Sequence, residues 1–182
     1  NITFTSVVTI GEQAFIGCRR LHKVMYMPDE APTCPNNIFD MALNLENVKV
    51  NQRYSKRDFC GKDIDKSLNA GEISKDNDKD DVYYYVDPDT KTLIVYGNGT
   101  MKDFNETNPA PWKDQKDNIQ HVIIKDGVEN VGDEAFKELD KVKDIVISGT
   151  VEDLGKDIFD GCDNLYEVEF EGTKPPKTEE DT

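Results

Sequence analysis

Apolar side chains return along this chain at an interval of 23 residues. Ile119, Val122 and Ile124 are followed one interval later by Val142, Ile145 and Ile147, and these by Leu165, Val168 and Phe170. The same step carries Val128, Val131, Gly132, Ala135, Phe136 and Leu139 onto Val151, Leu154, Gly155, Ile158, Phe159 and Cys162. Residues 7–26 share the frame through Val7, Ile10, Gly11, Ala14, Phe15, Cys18, Leu21, Val24 and Tyr26. A step of 24 then reaches Ala31, Cys34, Pro35, Ile38, Phe39, Ala42, Leu45, Val48 and Val50, so four repeats are visible, two near each end. A fixed period of this length is the signature of a solenoid.

Within each repeat the L-x-x-V-x-I run alternates with period 2, which predicts a short strand with every second side chain facing inward. The glycine predicts a turn, and the A-F-x-x-C-x-x-L spacing predicts one or two helical turns. One such unit cannot bury its apolar side alone, so the units stack with parallel strands about 4.8 Å apart and short helical segments on the other wall. The runs Val82 to Val86 and Thr92 to Tyr96 flank Asp87-Pro88-Asp89-Thr90-Lys91. They predict a β-hairpin that caps the open end of the second solenoid, with Trp112 as its apolar plug. Asn51 to Ile64, with Tyr54 and Phe59, is the candidate C-terminal cap of the first.

The run Val7-x-x-Ile10-Gly11-x-x-Ala14-Phe15-x-Gly17-Cys18-x-x-Leu21-x-x-Val24 resembles the BspA-type leucine-rich repeat. Leu154 to Leu165 repeats it, with Ile158 in place of the usual Ala. The third copy carries Glu138-Leu139 for Gly-Cys, and the second carries Cys34-Pro35 for Ile-Gly. Tyr85 to Trp112 is also similar to the segment that commonly precedes the first repeat in that family. The resemblance implies an α/β solenoid of surface or secreted proteins of mucosal bacteria and protist parasites, acting in adhesion to host extracellular matrix or to other cells.

Charge divides the chain: residues 1–60 carry a net +1 and residues 61–182 a net −16, with all four Arg in the first part. A total of −15 is the wrong sign for a phosphate-binding partner, so nucleic acid is excluded as an expected ligand. The segment from Gly61 to Asp81 is charged and poor in apolar residues, and reads as an acidic flexible linker. The expected organisation is therefore 1–60, the end of one solenoid with its cap; 61–81, the linker; 82–118, the hairpin cap; 119–173, a second repeat unit; and 174–182, a frayed tail. With about 39% apolar residues once Tyr is set aside and Gly counted, the chain sits below ordinary domains, as a thin solenoid core requires. No apolar run is long enough for a membrane helix, and no targeting segment opens the chain, which reads as a piece of something longer.

Chemistry is sparse. His22 and His121 have no partner at metal or triad spacing, and His121 reads as a surface residue beside inward Val122. Asp76, Asp78 and Asp80 have calcium-loop spacing, but Asp81 stands where such a loop needs Gly. Gly97-Asn98-Gly99 follows a strand without the third glycine and helix of a phosphate loop. Cys18, Cys34 and Cys162 occupy inward registers and read as buried thiols, while Cys60 either stays free or, in an oxidising compartment, bridges to Cys34. Asn1, Asn98 and Asn105 open N-x-Thr sequons, which place them as acceptors if a secretory pathway handles the chain.

Without catalytic residues, cofactor or metal, the expected function is binding. Stacked repeats set equivalent outward positions in lanes. In the second unit these are His121, Asp144 and Glu167; Ile123, Val146 and Glu169; and Lys125, Ser148 and Glu171. The first unit would contribute Lys23 and Asn47; Met25 and Lys49; and Met27 and Asn51. The apolar pair grading into glutamates suits a protein partner with an apolar anchor and a basic rim, such as a host or cell-surface protein or a matrix glycoprotein, on an extracellular or cell-surface chain that does not itself insert into a membrane. A structural spacer that projects other domains is the alternative.

Overall fold

The computed structural model describes residues 1–76 and 79–178. The chain forms two units, Asn1–Gly71 and Glu72–Thr182.

In the first unit, β1 (Ile2–Phe4), β2 (Val24–Tyr26) and β3 (Val48–Asn51) run parallel, one per repeat. The sheet continues through β5 (Lys62–Leu68), parallel to β3, and β4 (Asp58–Phe59), antiparallel to β5. Phe59 is fully buried and gathers Tyr26, Phe39, Tyr54 and Phe4, with ring centres 4.9, 6.1, 6.2 and 6.3 Å away. A disulfide joins Cys34 to Cys60 across a Cα–Cα distance of 5.6 Å. Of the two thiol readings, the bridge is the one found.

The segment expected to be a flexible linker is structured over much of its length. Lys62–Leu68 is β5, pairing Ile64 with Val48 and Leu68 with Asn51, and Ala70–Glu72 is β6. Beyond it, Ile73 is fully buried in the core of the second unit. Composition misleads here because β3 on one side and β4 on the other satisfy the strand's backbone, while only a few of its side chains are buried and the others stay charged and in water. Of the calcium-like triad, Asp78 lies outside the described residues. Asp80 instead caps backbone, its carboxylate accepting from the Asp76 and Thr100 amides at 3.0 Å each.

The second unit starts with the hairpin β7 (Asp81–Asp87) and β8 (Thr92–Thr100). Against β8 run β9 (His121–Ile124), β11 (Asp144–Ile147) and β13 (Glu167–Phe170), all parallel and with matched repeat positions aligned. A second parallel row, β10 (Val128–Val131), β12 (Asp153–Leu154) and β14 (Lys177–Thr178), joins the far end of β8. Thus β8 serves both rows, with its first half on β9 and its last residues on β10, and Gly97 and Gly99 take positive φ where it turns. That bend is the role of the Gly-Asn-Gly run. The sheet curls around a core that contains Trp112, fully buried, its indole nitrogen donating to the Ala135 carbonyl at 3.0 Å. The tail expected to fray is partly held, since Lys177 and Thr178 pair with Asp153 and Leu154; Glu179 to Thr182 lie outside the described residues.

The predicted helical turns are absent from the repeats. Among the described residues the one helical segment is the 3₁₀ stretch Lys113–Asn118, ahead of the second unit's first repeat. Two causes are visible. Left-handed backbone recurs at Glu134 and Asp157, and at Gly17, Met41, Glu138 and Gly161, which share one register, and no α-helix passes through such a residue. In addition the amides of Phe15, Glu134, Phe136 and Glu138 donate to the carbonyls of Ile38, Lys156, Ile158 and Asp160 in the following repeat. Donors spent between repeats are not available for an i to i−4 ladder. What remains is a chain of single turns, such as Leu139 to Phe136 and Val142 to Leu139.

Candidate binding face

The strand register of the second unit decides which side chains meet. Val122, Ile145 and Val168 share one row, and Ile124, Ile147 and Phe170 the next; the first two of each are buried, while Val168 and Phe170 on the last strand are exposed. Between them the outward residues stand side by side: His121, Asp144 and Glu167 in one lane, Ile123, Val146 and Glu169 in another. Ile123 and Val146 are half-buried, while Glu167, Glu169 and Glu171 are exposed and make no ion pair among the described residues. Repeat stacking alone therefore produces an apolar pair bordered on one side by three carboxylates.

The first lane is more engaged than its sequence suggests. The Nδ1 of His121 lies 2.7 and 2.9 Å from the two carboxylate oxygens of Asp144, so this histidine is paired rather than an isolated surface residue. The signal was present in the sequence, because a separation of one period makes two residues lane neighbours. The cross-strand neighbour on the other side, Thr92, donates its hydroxyl to the Thr90 carbonyl at 3.2 Å, so it is not presented to the imidazole. The third lane is partly withdrawn. Lys125 and Glu171 are exposed, but Ser148 is buried, its hydroxyl donating to the Lys125 carbonyl and meeting Thr150 Oγ1 at 2.8 Å. Ser148 closes the turn after its strand and leaves the candidate surface.

The hairpin adds residues that the repeat comparison misses. Ile94 pairs with Ile123 and continues the apolar lane by one strand but is itself buried, and Tyr85 pairs with Ile94 beyond it. Next to them Tyr96 packs on Tyr83 and Tyr85, with ring centres 5.8 Å from each. Burial, then the neighbouring Tyr85, Tyr83 and Asp81, push the Tyr96 phenol far above its ordinary value. Strand β8 lies outside the 23-residue period, so shifting the sequence does not reveal it; its Leu93-x-Val95 alternation is the signal that would.

In the first unit Lys23, Met25, Met27 and Asn51 are buried and present no open lanes. The Asn51 amide donates to the Met27 carbonyl and its oxygen accepts the Arg53 amide. Of the cysteines read as buried, Cys18 is exposed, in the outermost described repeat, and Cys162 is half-buried with its thiol directed at the Phe136 carbonyl at 3.1 Å. Burial pushes the Cys162 thiol up.

Both the parallel repeat geometry and its side-chain frame can be set against known proteins. The BspA type leucine rich repeat region matches residues 1–60 and 114–177 in six copies. The chain belongs to the BspA-type leucine-rich repeat family. Among solved structures, a leucine-rich repeat protein from Eubacterium ventriosum is similar over 62% of this chain and 28% of its own, at 19% identity and a TM-score of 0.50. That likeness concerns the fold, and the chain spans little more than a quarter of that protein. No curated protein matches significantly. BspA-type repeats form protein-interaction modules, are typically non-catalytic and occur in proteins that are generally surface-exposed or secreted. Among the described residues no helix is long and apolar enough to cross a membrane, and no cluster of three or more His, Cys, Asp or Glu could hold a metal.

Proposed function

We propose that this BspA-type chain is a non-catalytic binding module of a cell-surface or secreted protein, acting in adhesion to host extracellular matrix or to cells. The observation that carries the reading is the register of β9, β11 and β13, which sets Ile123 beside Val146 and next to the exposed Glu167, Glu169 and Glu171. An apolar anchor with a rim of one sign favours a partner of the opposite rim charge. His121 and Asp144 border the anchor and stiffen it. The Cys34–Cys60 bridge agrees with an oxidising location outside the cytosol.

The test is a titration of the immobilised chain with fibronectin, fibrinogen and laminin at two salt concentrations. Saturable binding that weakens with salt and is lost in the variant Ile123→Glu, Val146→Glu is the expected result. A small anchor of two half-buried side chains also suits a structural spacer that projects other domains. Absence of saturable binding across the panel, from protein with an intact disulfide and a buried Trp112, would favour the spacer.

A further inference from the structure

The three N-x-Thr triplets, alike in sequence, stand in different backbone settings. Asn98 lies inside β8, opposite Asp81 of β7, and the backbone around it is committed: the Gly99 amide donates to the Gly127 carbonyl at 2.9 Å, and the Thr100 carbonyl accepts the Lys75 amide at 2.9 Å. Asn1 leads directly into β1, where the Ile2 amide donates to the Lys23 carbonyl at 3.0 Å. Asn105 is exposed and outside every ladder. Its Oδ1 accepts the Thr107 amide at 3.0 Å, the Thr107 hydroxyl at 2.7 Å and the Asn108 amide at 2.9 Å. The triplet is therefore a closed turn with the Thr hydroxyl on the Asn side chain, while Nδ2 has no hydrogen-bond partner among the described residues.

A glycan acceptor needs an exposed, bendable triplet, an Asn nitrogen that the fold does not use, and a compartment where the transferase works. All three Asn side chains are exposed with Nδ2 unbonded among the described residues, and what sets Asn105 apart is that its triplet alone of the three lies outside every strand. The third condition has independent support, because the Cys34–Cys60 disulfide agrees with the oxidising route that secreted chains follow. Two residues before Asn105 stands Asp103, the acid that the more demanding bacterial form of the acceptor motif requires; Asn98 has Tyr96 there.

We infer that Asn105 is the acceptor of a single N-linked glycan, donated by a lipid-linked oligosaccharide diphosphate. In the transfer, Nδ2 bonds to the anomeric carbon of the donor sugar. The bond from that carbon to the diphosphate oxygen breaks, its electron pair leaves with the lipid diphosphate, and one Nδ2 proton passes to a base of the transferase. The loop lies beside Trp112, Glu134 and Glu138 on the turn side of the unit, so the glycan leaves Ile123 and Val146 open.

The experiment has two arms. The chain is secreted from a eukaryotic host, and separately the folded chain is incubated with a bacterial N-oligosaccharyltransferase and a lipid-linked oligosaccharide; intact mass and peptide mapping follow. One glycan on the Asn105 peptide is expected, abolished by Asn105→Gln and by Thr107→Ala and retained by Thr107→Ser. Modification in one arm only also supports the inference and names the donor source; in the bacterial arm it depends on Asp103 and is lost in Asp103→Ala but kept in Asp103→Glu. The inference is overturned by a chain with an intact disulfide that stays bare in both arms, or by a glycan at Asn98 with Asn105 bare.

Discussion

A methionine in left-handed backbone is the simplest residue with a testable energy. Met41 has φ of 64° and shares its register with Gly17 and Gly161, which carry no Cβ to clash. It is exposed, so replacement costs little packing. Met41→Gly should raise the unfolding free energy by about 0.5 to 1 kcal/mol, the Cβ penalty less the extra entropy of glycine, as read by urea denaturation; a loss of stability would refute the argument. Ionisation offers a second test. Burial, then the charge of Glu30, push the Tyr26 phenol up to about 12, and its hydroxyl is shared between the Val7 and Glu30 carbonyls at 2.9 Å each. A phenol raised in the folded state favours folding fully below its ordinary value near 10. That contribution fades as pH climbs from about 10 towards 12, where the unfolded chain alone ionises. Ultraviolet titration should show Tyr26, Tyr54 and Tyr96 ionising only as the fold is lost. A single transition near the ordinary value, with the fold intact, would contradict this.

At the level of elements, the repeat glycine acts by closeness. A Cβ on Gly155 would stand 2.5 Å from the Asp133 amide nitrogen, and one on Gly132 2.0 Å from the Lys102 carbonyl, whereas Gly11 in the same register has nothing within 4 Å. Gly155→Ala should therefore cost about 2 to 3 kcal/mol, while Gly11→Ala should change stability by less than about 0.5 kcal/mol; equal effects in thermal melts would refute the reading. The strands on the candidate face were legible down to their partners, because the period that defines the repeats also sets their register, and the hairpin was legible from its alternation. Helical turns were expected because A-F-x-x-C-x-x-L carries 3- and 4-residue spacing, but successive single turns give the same spacing. The strands β10 and β12 escaped notice because they pair over only a few residues, and β5 because its free side is charged.

For the molecule as a whole, the uneven distribution of aromatic and sulfur groups gives a way to follow the two units separately. The single Trp, Trp112, belongs to the second unit, and the disulfide to the first. Cys34→Ala with Cys60→Ala opens a loop closed over a sequence separation of 26. It should lower the stability of the first unit by about 3 to 4 kcal/mol on the chain-entropy estimate. Circular dichroism should register that loss, while the Trp112 fluorescence transition should stay in place; a tryptophan transition moving by the same amount would count against it. The candidate face was legible in part. Its repeat lanes followed from spacing, but the hairpin's share and the withdrawal of Ser148 depended on how strands and turns close in space. The amides of the turn wall, donating from each repeat to the next, carry a further consequence for inheritance. Gain or loss of one whole repeat leaves each donor facing an equivalent acceptor, while a residue inserted within the wall of one repeat misaligns that repeat's own pairings with its neighbours. Genes built on this wall are free to vary in length by recombination in whole repeats, and selection should remove changes of any other size within it.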